Sequence, residues 1–191
     1  DDNKKAVDEA VAIQSECLVM VVGGLKPNSK DLIGSRKQME EGLFKTLEYA
    51  RTVKMPIAIE PLHPMYAADR ACVNTLKYAL DICDGMGAGI GIAVDVYHTW
   101  WDPELKSQIK RAGKERLLAF HLCDWLMETK HFLLDRGMMG DGVIDISRIR
   151  KWMESESFEM LNEVEIFSAE NWWKRDPDEV IRICIERLAV C

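Results

Sequence analysis

No run of about 18 apolar residues occurs in this 191-residue chain, so no stretch of it reads as a bilayer-spanning helix, and none reads as a signal peptide. An excess of basic charge is missing too. Lys and Arg number 25 against 32 Asp and Glu, for a formal net charge of -7, the wrong sign for a protein that grips a phosphate backbone. The acidic residues are spread along helix-like segments, as on a solvated surface. The six cysteines, Cys17, Cys72, Cys83, Cys123, Cys184 and Cys191, include no Cys-x-x-Cys pair. Most sit in apolar runs, which suits buried thiols of a reducing compartment rather than a disulfide framework. Low-complexity tracts are absent, and a 48% hydrophobic content supplies a core. The expectations are one domain over residues 1–191, a cytoplasmic location, and neither membrane nor nucleic acid as a partner.

What the chain has instead is a repeated design. Five apolar runs, Cys17-Leu18-Val19-Met20-Val21-Val22, Ile57-Ala58-Ile59-Glu60, Ile92-Ala93-Val94-Asp95, Leu118-Ala119-Phe120-His121 and Glu163-Val164-Glu165-Ile166-Phe167, alternate with helix-length stretches. Unbroken apolar runs suit strands covered on both faces, as in parallel sheets. Their alternation with helices predicts an α/β chain of five strand–helix units behind a first helix over residues 1–15. Further helices are expected around Met39 to Ala50, Ala71 to Cys83, Pro103 to Ala112, Ile146 to Met153 and Pro177 to Ala189, with a long loop from Asp124 to Gly142.

Two architectures fit such a chain. An open doubly wound sheet gathers its ligand at one switch point behind a glycine-rich turn. Here Gly85-Met86-Gly87-Ala88-Gly89 precedes a strand rather than following one, so it reads as a helix-to-strand turn. Functional residues at several successive strand ends fit a (β/α)8 TIM barrel better. Eight units need about 250 residues. The expectation is therefore a partial barrel of about five βα units, the C-terminal portion of a longer protein whose N-terminal units are missing.

Four of the five runs carry a metal-type ligand at their ends: Glu60, Asp95, His121 and either Glu163 or Glu165. Taken singly, each is an ordinary helix cap, surface group or core histidine. In succession on apolar strands they are costly unless something pairs with them. Three carboxylates and one imidazole suit Mn²⁺, Mg²⁺, Co²⁺ or Zn²⁺ and disfavour soft Cu(I). Glu163 and Glu165 share a strand face, so residue type alone leaves either as the ligand. A divalent cation polarises a carbonyl and its neighbouring hydroxyl, and carboxylates flanking a bound substrate can remove and return a proton. Several neighbours carry two readings each: His63 and Tyr66 line a pocket or a loop, Trp100 and Trp101 cap a sugar or pack a loop, Asp124 supports a ligand or caps a turn, and Met138-Met139 cover a pocket or pack.

The motifs Ile59-Glu60-Pro61-Leu62-His63-Pro64, Asp95-Val96-Tyr97-His98, Phe120-His121-Leu122-Cys123-Asp124, Gly140-Asp141-Gly142-Val143-Ile144-Asp145 and Glu163-Val164-Glu165-Ile166-Phe167 resemble those of the xylose-isomerase-like TIM barrels, which include sugar phosphate isomerases and epimerases. The likeness runs over essentially the whole chain. It implies a metal held by Glu60, Asp95, His121 and Glu165, with Glu60 and Glu165 also acting as the catalytic acid/base pair. It implies substrate contacts from His98 and Arg136, and His63 is a further substrate-binding candidate. The activity implied is metal-dependent isomerisation or epimerisation of a small carbohydrate, phosphorylated or not, through an enediolate. A homo-oligomer is compatible with the sequence, which does not specify one.

Three other readings remain. An inosose-type dehydratase uses the same enediolate step. An abasic-site DNA endonuclease belongs to the same superfamily but needs more histidines than the four present, including one in an Asp-x-His before the Gly-x-Gly turn. Here that segment reads Asp135-Arg136-Gly137, and the acidic charge opposes DNA binding. The last is a non-catalytic fragment.

Overall fold

The computed structural model describes residues 2–191. Helix α1 (Asp2–Ala12) precedes five strands: β1 (Leu18–Met20), β2 (Ile57–Ile59), β3 (Ile90–Asp95), β4 (Leu117–Leu122) and β5 (Asn162–Val164). Between them run α2 (Leu32–Thr52), α3 (Leu76–Met86), the single turn α4 (Val96–Thr99), α5 (Leu105–Arg116) and α6 (Ile146–Ser155), and α7 (Pro177–Leu188) follows β5. The strands lie in the order β1-β2-β3-β4-β5, and every neighbouring pair is parallel. An order that never reverses keeps the right-handed crossovers on one side. The sheet is therefore an arc of a TIM barrel, a partial barrel of about five βα units as expected, with no doubly wound switch point.

The two faces of the arc differ in side-chain size. Ile57, Ile59, Ile92, Val94, Phe120 and Leu122 pack outward against Leu43, Leu47, Leu80, Ile109 and Met153 of the helices in one continuous core. Alternating with them along the strands, Ala58, Ala93 and Ala119 line the concave face with Cys17 and Val19. Strand side chains alternate with period two, so two steps beyond each alanine come Glu60, Asp95 and His121. One irregularity sets their alignment. The β3–β4 ladder pairs Ile92 with Leu117 but Ala93 with Ala119, and this bulge makes Asp95 and His121 direct neighbours. Gly91 allows the close approach there, since a Cβ would fall 2.4 Å from the Arg116 carbonyl oxygen.

Local chemistry moves several boundaries from their expected places. The α3 helix starts at Leu76 rather than Ala71, because Thr75 caps it by accepting from the Tyr78 N–H at 3.2 Å. Asn74 meanwhile donates to the Leu62 and Ala71 carbonyls at 3.0 Å. That helix then runs on to Met86, where Gly87 (φ +84°) supplies the left-handed cap. The β5 ladder covers Asn162–Val164, and the Glu165 N–H adds one further bond to the Leu122 carbonyl at 2.9 Å. No helix among the described residues is long and apolar enough to cross a membrane.

Candidate metal centre

Glu60, Asp95, His121 and Glu165 lie within one residue of the C-terminal ends of β2, β3, β4 and β5. Each offers one ligand atom, and these atoms all fall within 4.8 Å of one another. His121 Nδ1 stands 3.1 Å from Glu60 Oε1 and 3.6 Å from Glu165 Oε2. Glu60, Asp95 and His121 are buried and Glu165 is half-buried. Asp95 is fixed from behind, its Oδ1 accepting the Tyr97 N–H at 2.7 Å and so capping α4.

The charges in this cluster do not balance by themselves. Arg136 Nη1 reaches both Asp95 Oδ2 and Glu165 Oε2 at 3.2 Å. Its guanidinium lies over the Tyr97 and Phe167 rings, 4.4 and 4.8 Å from their centroids. Three carboxylates against one guanidinium leave two negative charges. Burial raises the Glu60 carboxyl above its ordinary value. Burial also works against a charge on His121, but hydrogen bonding to Glu165 and Glu60 outweighs it and lifts the imidazole to about 10. Protons thus make up part of the missing positive charge. A divalent cation matches the deficit and the donor set, which is oxygen-rich with one imidazole. The residues fit such an ion.

Arg136 is delivered by the long loop after β4, and Asp124 builds that loop. The buried Asp124 carboxylate accepts four backbone N–H groups, from Trp125 (2.8 Å), Gly140 (2.9 Å), Gly142 (2.9 Å) and Ile144 (3.0 Å). Gly142 is required by packing, since a Cβ would lie 2.1 Å from the Trp125 carbonyl oxygen. The Arg136 N–H then pins the loop to the Phe167 carbonyl at 2.9 Å. A cavity of about 430 Å³ opens beside the cluster, with Glu60, Glu165, His98 and Arg136 as its polar side. Leu62, Tyr66, Leu133, Leu134, Phe167 and Trp173 form its walls, and Arg70 lines it too.

The amino-acid pattern matches the family model described as the xylose isomerase-like TIM barrel over residues 1–184. The chain belongs to that family. A solved structure from Sinorhizobium meliloti 1021 shares 58% identity and a TM-score of 0.97, covering 100% of this chain and 70% of its own. Two more distant solved structures share the fold. The IOLI protein, solved with a zinc atom, is 20% identical with a TM-score of 0.81, over 98% of this chain and 66% of that one. The 3-keto-D-glucoside 4-epimerase YcjR from E. coli is 16% identical with a TM-score of 0.76, over 99% and 69%. The chain thus spans about two thirds of the length of these solved proteins. No functionally curated protein matches it.

Within this xylose isomerase-like arc, the two candidates for the fourth ligand of the sequence pattern take different places. Glu165 joins the cluster, whereas Glu163 is exposed and lies 4.0 Å from the other edge of the His121 ring. His98 is buried beside the cavity. Burial and the Arg136 charge push it well below the ordinary histidine range, so it is a neutral imidazole, with Arg136 Nη2 3.2 Å from its Nε2.

One expectation needs correcting, and two open readings resolve as packing. The His63 side chain does not line the cavity: it packs on Trp125 and Trp101 at 5.1 and 5.6 Å and caps a 3-10 turn at Pro64–Tyr66. Only its backbone N–H serves the site, donating to His98 Nδ1 at 3.2 Å. Trp100 and Trp101 pack the loop, the Trp101 indole donating to the His98 carbonyl at 2.8 Å, and Met138 and Met139 lie fully in the core. Arg70, Leu133, Leu134 and Trp173 line the cavity with no sequence signal that marks them, while Phe167 continues the alternation that places Glu165.

Proposed function

We propose that this chain carries the catalytic centre of a divalent-metal-dependent sugar, or sugar phosphate, isomerase or epimerase. The observation that carries the reading is that Glu60 and Glu165 belong at once to the ligand cluster and to the cavity wall. A divalent cation bound by Glu60, Asp95, His121 and Glu165 supplies polarisation of a substrate carbonyl and its neighbouring hydroxyl. The two glutamates come from strands on either side of β3 and β4, so a substrate seated between them meets a carboxylate on each flank. One removes the proton next to the carbonyl, and the other returns a proton to the resulting enediolate. Arg136 and neutral His98, both on the polar side of the cavity, hold substrate oxygens in place, and the apolar walls exclude water.

The nuclease reading loses further ground at Gly137. The histidine that chemistry needs is a glycine here, and a Cβ in its place would already press on Leu126 Cδ2 at 2.8 Å. The test is solvent exchange. With Mn²⁺ or Co²⁺ and a panel of ketoses that includes D-allulose and a 3-keto-glucoside, the chain incorporates deuterium from D₂O at carbon. Glu60→Ala and Glu165→Ala both abolish incorporation, and normal exchange in either variant refutes its acid/base role.

A further inference from the structure

His121 faces two ways. Its Nδ1 is turned toward the carboxylates of Glu60 and Glu165, at 3.1 and 3.6 Å. Its Nε2, on the opposite edge of the ring, is buried and has no hydrogen-bond partner. Beside that orphaned nitrogen stands Glu163, with Oε2 4.0 Å away. The two residues are direct register partners across the β4–β5 ladder, so their side chains leave the sheet side by side on the concave face. The Glu163 side chain is 58% exposed, and its carboxylate is the acidic group nearest to that nitrogen's edge of the ring.

We propose that Glu163 is a positioning residue of the metal centre: its carboxylate accepts the Nε2–H of His121 and so holds the imidazole in the tautomer whose Nδ1 is free to bind a divalent cation. The reasoning rests on the metal reading above. A neutral imidazole carries one proton and ligates through the other nitrogen. Glu60, at 3.1 Å from Nδ1, holds a proton on that nitrogen, and it is this proton, not the one on Nε2, that must leave before the ring can ligate. A carboxylate on the Nε2 side opposes that pull, selects the ligating tautomer and makes the ring a stronger donor to the ion. Glu163 therefore acts on the cation through His121.

The experiment measures Co²⁺ binding to the metal-stripped chain by competition titration, with the Co²⁺ d–d absorption band as a second readout. Glu163→Ala weakens binding about 10- to 100-fold and alters the band. Glu163→Gln, whose amide oxygen still accepts the N–H, stays close to wild type. Glu41→Ala, which removes an exposed carboxylate elsewhere on the surface, has no effect. Unchanged affinity in Glu163→Ala overturns the proposal, and so does Glu163→Gln binding as weakly as Glu163→Ala, which would make charge rather than hydrogen bonding the cause. A wild-type chain that takes up no Co²⁺ refutes the metal reading itself, a result distinct from either.

Discussion

Binding of a cation to this centre requires that a proton leave. In the metal-free chain His121 is held at about 10, burial opposing its charge and hydrogen bonds to Glu165 and Glu60 overcoming that opposition. At about pH 7.5 the ring is therefore protonated, and stripping the proton costs about 3.5 kcal/mol at roughly 1.4 kcal/mol per pH unit. A cation that takes Nδ1 must displace it. One proton is then released per ion bound, and the apparent affinity rises about tenfold per pH unit up to about pH 10. Isothermal titration of Mn²⁺ or Co²⁺ into the stripped chain, repeated in buffers of different ionisation enthalpy, counts that proton directly. A count near zero at about pH 7.5, or an affinity that stays flat as pH rises, would falsify this account of the charge balance. Folding stability follows the same linkage. The folded-state value for His121 is raised above the unfolded value of about 6.5, so its contribution is complete below about 6.5 and is lost as pH rises through about 10. Glu60, raised by burial, acts in the same direction. The melting temperature of the stripped chain falls on the alkaline side, and its gap to the metal-loaded chain widens.

Two other substitutions probe the supports of the site. Asp124→Ala removes the acceptor of four backbone N–H groups and costs about 3 kcal/mol or more in urea denaturation. It also opens the loop between Asp124 and Ile144 to limited proteolysis, and a loss well under 1 kcal/mol would mean that the loop is held by its side-chain packing instead. Arg136→Met leaves the fully buried Asp95 without its partner and destabilises the metal-free chain by about 3–5 kcal/mol. Saturating Co²⁺ recovers much of that loss, because a cation takes over the compensation of Asp95; an equal loss with and without Co²⁺ would show that the stacking of Arg136 on Tyr97 and Phe167 matters more than its charge.

The quartet was legible in the sequence because its geometry needs only period-two alternation. Ala58 and Glu60, Ala93 and Asp95, and Ala119 and His121 each sit two residues apart, so any parallel arrangement that buries the intervening Ile59, Val94 and Phe120 against helices turns all three ligands onto one concave face. The choice between Glu163 and Glu165 was beyond that rule, because both obey it. The structure separates them by position: Glu163 pairs with His121 across the ladder, and Glu165, one full period on, lies in the cluster with Glu60, Asp95 and His121. The loops were not legible for a different reason. Asp124 gathers N–H groups as distant as that of Ile144, and Leu133, Leu134 and Trp173 reach the cavity through segments with no periodicity to read. The same contrast explains His63, whose place after a ligand-bearing strand suggested the pocket. Its backbone does reach the site, through His98, but the 3-10 turn it caps sends the imidazole among Trp101 and Trp125 instead. In this barrel arc the strand alternation determines which atoms converge in the cluster, and the loop packing determines which side chains line the cavity beside it.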